Sequence, residues 1–559
     1  MRLPIGYDDF RALIDQGFDF VDKSLFIKDI INDDSQTILI TRPRRFGKTL
    51  NLSMLHYFFA AEAYSKNTQG LFNNLKIAGA GEYYTAQQGK YPVIFLTLKD
   101  IKDARFNLAY EKIHELMVQL YDEFAYLEQS GSLSAQQKEF FRLILNRKAN
   151  PAQLAKALQV LTQCLAKHHG VNPILLIDEY DTPIQSGYIH GYYEEIIDFV
   201  RGFLSSALKT NPYLHKAVLT GILRVSKESL FSDLNNIDVY SVLSTRYSEY
   251  FGFTETEVGM LLEKTGLQHQ ANDIRAWYNG YQIGDTVIYN PWSIVNCLKQ
   301  QGKLQAYWSN TSGNDLIKKL LIQSKTSFKA QFELLLRGES IERFIDERLV
   351  FQYLDGNETA VWSLLLAAGY LKVVACEQRQ EGLWCHLQIP NQEIRGLYQS
   401  IIEQWLSQGE SLEWYYEFLN DLLDGRLQRF EQYLQTIYEQ IISVHDIARY
   451  PEAFCHALIL GLTASLHPRY EIKSNKESGV GRYDLAILPQ DKAQFGIIME
   501  FKIAQEKNNL EKTAQLALTQ INTQHYATEF KTRGLQKLIK IGIAFHGKYV
   551  RTVFELEIF

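Results

Sequence analysis

The stretch Thr37-Ile-Leu-Ile-Thr-Arg-Pro-Arg-Arg-Phe-Gly-Lys-Thr-Leu50 decides how the first half of the chain folds. A short apolar run leads into a basic loop, and a helical pattern starts at Lys48. In a strand–loop–helix unit of this kind, the loop amides and the helix N-terminus surround phosphate groups. Lys48 then reaches the terminal phosphates and the Thr49 hydroxyl sits on Mg²⁺. Arg42 stands where the generic pattern GxxxxGK[ST] has its first glycine, so the loop favours a phosphate site but alone also admits a basic turn before an ordinary helix. Pro173-Ile-Leu-Leu-Ile-Asp-Glu179 separates the two readings, because it is an apolar strand that ends in two carboxylates and follows the loop in the right order. Asp178 is expected to hold Mg²⁺ through water, and Glu179 to orient or deprotonate an attacking water.

The same half contains further strand-like runs at Pro92–Leu98 and Lys216–Gly221, with helical stretches expected over Leu108–Glu128 and Ala135–His168. Continuous apolar runs alternating with helices predict a parallel sheet covered on both faces. The Lys216–Gly221 run carries Thr220 at the place of a polar γ-phosphate sensor. Arg224 just beyond it is either a charge sensor or a plain surface arginine. Arg44, Arg45, Phe46 and Gly47 complete the candidate nucleotide-binding loop, with the two arginines set to contact phosphates, a partner subunit or solvent.

Thr254-x-x-Glu257 is a capping box that opens a mostly helical stretch to about residue 345. Gly369–Cys376 and Leu383–Ile389 flank a polar turn and predict a β-hairpin, followed by a helical block over about 391–445. The last segment carries the second chemical signature. Ser474-Asn-Lys-Glu-Ser-Gly-Val-Gly-Arg-Tyr-Asp484 reads as a turn bringing Asp484 into a strand, and Gly496-Ile-Ile-Met-Glu-Phe-Lys502 as an apolar strand ending Glu-x-Lys. Side chains alternate with period two along a strand, so Glu500 and Lys502 share a face while Phe501 turns to the core. Asp484 and Glu500 are the expected ligands of Mg²⁺ (or Mn²⁺). Lys502 is the expected partner of the water or of the developing phosphate charge. Glu452 and Glu477 compete as a third acid, and His456 is expected to pack rather than ligate. Gln520 and Tyr526, on the helix that follows, are expected near the nucleic-acid backbone or a flanking base.

At 559 residues the chain holds more than one domain. A net charge of −6 and a pI near 6.2 exclude a globally basic nucleic-acid coat, although a local basic groove needs only a patch. The five cysteines are scattered without a CxxC pair, which argues against a zinc site or a disulfide framework and for a reducing cytoplasm. No apolar run of membrane-spanning length occurs, and the first residues lack a signal-peptide core, so no membrane association is expected.

The motifs Arg42–Thr49, Leu176-Ile-Asp-Glu-Tyr-Asp181, Leu219-Thr-Gly-Ile222 and Leu234-Asn-Asn-Ile237 together resemble the bacterial AAA-ATPase-like family. Phe251-Gly-Phe-Thr254, Gly280-Tyr281, Tyr289-Asn-Pro-Trp-Ser293, Gly369-Tyr-Leu371 and Ile389-Pro-Asn391 extend the resemblance through the middle of the chain. Ser474–Asp484 with Glu500-Phe-Lys502 resembles that family's C-terminal PD-(D/E)XK nuclease-superfamily domain. The resemblance implies an α/β multidomain protein. Residues 1–253 would form a P-loop sheet of the additional-strand, AAA-like class. Residues 254–440 would form a mainly helical middle region with the hairpin 369–389, and residues 441–559 a restriction-endonuclease-like domain. It implies ATP and Mg²⁺ as cofactors, nucleic acid as partner with DNA ahead of RNA, and a homo-oligomer. The function expected is ATP hydrolysis whose nucleotide state regulates phosphodiester cleavage, with a role in defence against foreign DNA by analogy. The alternative is a nucleotide-dependent switch whose nuclease fold binds without cutting.

Overall fold

The computed structural model describes residues 2–225, 237–309, 316–407, 413–441 and 459–559, apart from a few residues within 316–407 and 459–559. The chain divides into two compact units. One comprises Met1–Leu320 with Glu342–Ile394, the other Leu321–Ile341 with Arg395–Phe559. The stretch expected as a middle region is thereby shared: its hairpin belongs with the first unit and its last helices with the second.

The first unit is built on five parallel strands: β1 (Thr37–Thr41), β2 (Val93–Thr97), β3 (Ile174–Asp178), β4 (Lys216–Gly221) and β5 (Ile237–Tyr240). They lie in the order β2-β3-β4-β1-β5. Every residue of β1 and β3 is buried, as the unbroken apolar runs require of strands covered on both sides. The insertion of β4 between β1 and β3 puts the ends of all three strands beside α1 (Lys48–Phe59). Strand β5 escaped the sequence reading. It is a four-residue edge strand, partly exposed, and Ile-Asp-Val-Tyr carries too little apolar character to stand out. The expected helix over Ala135–His168 is instead broken into Ala135–Leu145, Pro151–Leu154 and Ala157–His169. Pro151 has no N–H to donate within a helix, and Asn150 caps a new start there. The Thr254 capping box is present and opens Glu255–Thr265.

The hairpin forms from β6 (Lys372–Arg379) and β7 (Gly382–Gln388). Its register sets Cys376 opposite Cys385, and the two are joined in a disulfide, which corrects the expectation of unpaired cysteines. Only the pairing of the two strands, with its irregularity between Val373 and Ala375, brings these residues together. Cys164 and Cys297 are free and buried.

The second unit is a five-stranded mixed sheet in sequential order: β8 (Tyr470–Ser478), β9 (Gly481–Pro489), β10 (Gly496–Ile503), β11 (Lys537–His546) and β12 (Tyr549–Ile558). All neighbours are antiparallel except β10 and β11, which run parallel and are connected through α2 (Leu510–Thr523). The segment Ser474–Ser478 was expected to be a turn but forms the second half of β8, paired with β9. As an edge strand it needs no apolar outer face, and pairing overrides its weak strand preference. Ile497, Met499 and Phe501 enter the core beneath the helices Glu413–Leu423 and Leu427–Ile441. Ile498 enters the opposite core, under α2. Alternation then places Glu500 and Lys502 on the α2 side. Among the described residues no helix is long and apolar enough to cross a membrane.

Candidate nucleotide and nuclease sites

The phosphate loop runs from Arg42 to Gly47 between β1 and α1. Arg45 and Gly47 both have positive φ, 67° and 85°, so the loop curls tightly at the helix N-terminus. Lys48 is buried, and its ammonium donates to the carbonyls of Arg42 and Pro43 at 3.2 and 3.1 Å. Burial pushes its pKa down, opposed by the charges of Glu179, Asp178 and Asp181. The Thr49 hydroxyl donates to Asp178 Oδ2 at 2.6 Å, and the Thr220 hydroxyl donates to Asp178 Oδ1 at 2.7 Å. Burial raises the Asp178 pKa, while these two donors act against the shift. Two strand ends and the start of α1 thus meet on one carboxylate. Glu179 follows with φ 51°, a conformation costing about 1–2 kcal/mol for a residue with a Cβ, and its carboxylate accepts from the Thr182 hydroxyl at 3.2 Å.

Lys48, Thr49 and Glu179 border a cavity of about 760 Å³ lined by Arg44–Asn51 and Gln185, among others, while Asp178 is fully buried behind that wall. It has room for a nucleotide. Arg44 donates to Gln185 Oε1 at 3.2 Å, Arg45 is exposed with its guanidinium 4.3 Å from the Trp292 ring centre, and Phe46 is buried against Tyr281. Thr220 is fully buried behind Asp178. Arg224 is not on the cavity wall and lies near Tyr180.

Several residues that hold the site were assigned no role from sequence. Arg42, in the place of the missing glycine, is fully buried and turns away from the loop. Its guanidinium donates to the carbonyls of Thr41, Tyr240 and Ser241, each at 2.8 Å, and lies over Phe251. It therefore ties β5 and the segment after it to the sheet. Asp181, buried, accepts from the amides of Ile222 and Leu223 at 3.0 Å and from Gln185 Nε2 at 3.1 Å. The Tyr180 hydroxyl donates to the Leu223 carbonyl at 2.6 Å. A Cβ on Gly221 would sit 2.7 Å from both Asp181 Oδ1 and a ring carbon of Tyr180. Gly221→Ala is expected to cost about 1–3 kcal/mol of stability, read as a lowered denaturation midpoint. An unchanged midpoint would mean that this packing relaxes freely.

In the second unit, the register Leu485↔Met499 sets Asp484 beside Glu500 on neighbouring strands. Asp484 Oδ2 accepts from the Phe501 amide at 2.7 Å. Glu500 is 4% exposed and its Oε1 accepts from Gln520 Nε2; Lys502 Nζ donates to Gln520 Oε1 at 2.7 Å. Gln520 on α2 therefore spans the acid and the lysine, whose side chains share one face as expected. Tyr526 lies beyond the end of α2 and is buried, its ring 5.9 Å from that of Tyr483 and its hydroxyl bonded to Gln520 beside Glu500 and Asp484. Among the described residues no three His, Cys, Asp or Glu side chains form a metal cluster. Two adjacent carboxylates still suit Mg²⁺, which completes its shell with water and substrate phosphate oxygens. Of the competing third acids, Glu452 lies outside the described residues, as do His456 and Cys455. Glu477 is placed only by its backbone, opposite Arg482 in β8 and β9.

The first unit's parallel sheet fits the P-loop α/β fold expected, and the second unit's mixed sheet is consistent with the PD-(D/E)XK fold. Residues 4–231 match the family described as predicted AAA-ATPase, and residues 450–555 match the PD-(D/E)XK nuclease superfamily. The chain thus carries a predicted AAA-ATPase domain followed by a PD-(D/E)XK nuclease-superfamily domain. It is 27% identical to an uncharacterized protein in the vnfD 5′ region of Azotobacter chroococcum, over 97% of this chain and 96% of that one. Among solved structures it is similar to a Walker-type ATPase of Pyrococcus abyssi, with 13% identity and a TM-score of 0.34, covering 67% of this chain and 93% of the other.

Proposed function

We propose that this protein binds and hydrolyses ATP with Mg²⁺ and uses the nucleotide state to regulate a metal-dependent nuclease acting on nucleic acid, DNA ahead of RNA. The observation that carries this proposal is the grouping in one chain of Lys48, Thr49, Asp178 and Glu179 around one set of strand ends and of Asp484, Glu500 and Lys502 around another. At the first, Lys48 leaves the carbonyls of Arg42 and Pro43 for the terminal phosphates. Thr49 and Asp178, the latter fixed by Thr220, hold Mg²⁺, and Glu179 orients the attacking water. Arg44 reaches the phosphates from its place on Gln185. At the second, Asp484 and Glu500 hold Mg²⁺ or Mn²⁺, which when bound polarises the scissile phosphate and activates water. Lys502 stabilises the charge that develops on the phosphate.

Residues 254–440 connect the two activities. The protein works in the cytoplasm as a homo-oligomer, in defence against foreign DNA. The test is a cleavage assay of linear and circular DNA and of RNA, in Mg²⁺ or Mn²⁺, with and without ATP. Cleavage that is lost in Asp484→Ala and changes its ATP response in Lys48→Ala is the expected result. No cleavage of any substrate alongside intact ATP turnover would favour a switch that binds without cutting.

A further inference from the structure

Because Arg42 replaces the glycine and spends its side chain elsewhere, the segment Pro43–Phe46 depends on support from outside the loop. Besides the Arg44–Gln185 bond, four contacts supply it, all from residues far away in sequence. Trp308 Nε1 donates to the Arg44 carbonyl at 3.0 Å, the Arg45 guanidinium lies over Trp292, and Phe46 packs edge-on to Tyr281. Gly369 lies so close to Pro43 that a Cβ there would come within 2.9 Å of the proline ring. Trp308 itself is flanked by Tyr281 and Tyr370, with ring centres 6.2 and 5.3 Å away.

The short strap that carries Trp308 is held by one buried acid. Glu393 is fully buried. It accepts from the Ser293 hydroxyl at 2.7 Å and from the backbone amides of Trp308, Tyr307 and Ser309. Trp292 Nε1 donates to the Tyr307 carbonyl at 3.2 Å, so the two tryptophans that touch the phosphate loop are fastened to the same strap. A trans peptide points its C=O and its N–H in opposite directions. Fixing the Arg44 carbonyl on the indole therefore turns the Arg45 N–H away from Trp308. The positive φ values of Arg45 and Gly47 continue the curl, the form of backbone that gathers amides around an anion.

We infer that Trp308, held in place by Glu393, is a positioning residue for the phosphate loop: it sets the amide orientation that receives the nucleotide, and it links nucleotide occupancy to the strap and to Glu393. The inference rests on the nucleotide-binding proposal above. It predicts that the strap matters for binding rather than for the chemical step, because Trp308 acts on the Arg44 carbonyl and Glu393 acts through Trp308, whereas Glu179 accepts its hydrogen bond from Thr182.

The test uses the full chain as Trp308→Phe, Glu393→Gln, the double variant and Lys48→Ala. Binding of Mg²⁺–ATP, steady-state ATP turnover and the thermal midpoint without nucleotide are measured for each. Losing one well-aligned hydrogen bond is expected to weaken binding about tenfold. Trp308→Phe and Glu393→Gln should each raise KM for ATP by about that factor with kcat within about twofold. The double variant should be no worse than the weaker single variant, since both act through one contact. Full-strength ATP binding by folded Trp308→Phe overturns the inference, as does a double variant whose loss is the product of the singles. Losses that merely track the thermal midpoint overturn it too. If Glu393→Gln fails to fold, Trp308→Phe decides alone. Folded wild type that binds no ATP overturns the nucleotide reading itself and the inference with it, an outcome distinct from wild type binding, Lys48→Ala not binding and Trp308→Phe unaffected.

Discussion

Glu500→Ala is expected to lower phosphodiester cleavage about a thousandfold or more while leaving ATP turnover within about twofold of wild type. Glu500 is nearly buried at the point where β10 passes under α2, with Asp484 beside it and Gln520 on its Oε1. Its removal leaves a single carboxylate to hold the metal, and takes away the acceptor of Gln520 Nε2, while Gln520 keeps its bonds to Lys502 and Tyr526. The cleavage loss is then compounded, since the ion is bound weakly and the lysine loses the link that keeps it in line with the acid. ATP turnover is spared because every residue of the nucleotide site belongs to the other unit of the chain. Glu500→Gln separates ligand loss from packing loss: it keeps the side-chain volume and a hydrogen bond to Gln520 but removes the charge. Cleavage should fall nearly as far as in the alanine variant, with the thermal midpoint closer to wild type. Persistent cleavage in folded Glu500→Ala would remove Glu500 from the metal site, and the nuclease assignment with it.

How much of this could be read from the sequence depends on what each residue's role requires. Four of the five strands in the first sheet were legible, because a strand buried on both faces shows as an unbroken apolar run. The edge strand Ile237–Tyr240 and the polar half of β8 were not, because pairing with a neighbour, rather than their own residues, makes them strands. Lys48, Thr49 and Asp178 were legible by spacing, and so was the shared face of Glu500 and Lys502. Asp181 sat inside a quoted motif, but its part in holding the backbone at Ile222 and Leu223 needed the β3–β4 neighbourhood to be seen. Glu393 and Trp308 carried no local signal at all. Their link to Arg44 joins residues hundreds of positions apart, and no periodicity or motif encodes such a contact. The departure at Arg42 was visible at once, but its meaning was not. A buried guanidinium answered by three carbonyls is a clamp on the segment after β5 rather than a phosphate ligand.

Lys48→Ala is expected to weaken Mg²⁺–ATP binding about a hundredfold or more, or ~3 kcal/mol, and to make DNA cleavage indifferent to added ATP. An ammonium about 4 Å from a phosphate charge contributes on the order of a few kcal/mol at the effective dielectric of a partly enclosed site. In the structure this ammonium rests on two loop carbonyls, and the negative charges of Glu179, Asp178 and Asp181 oppose the desolvation that lowers its pKa. Truncation therefore acts twice. It removes the positive group that meets the phosphates, and it leaves Glu179 at the cavity wall, with Asp178 and Asp181 buried nearby, less compensated as a polyanion enters. The fold should survive, since Lys48 borders a cavity that water can fill after truncation and Arg42 keeps its own clamp. The variant is then a folded protein with an unaltered nuclease site and no nucleotide signal. If its cleavage settles at the ATP-free level of wild type, the regulatory link runs through nucleotide occupancy. If its cleavage still follows ATP, the control acts through some other site, and the phosphate loop is not the regulator. Equilibrium titration with ATP, paired with cleavage rates at zero and saturating ATP, distinguishes the two.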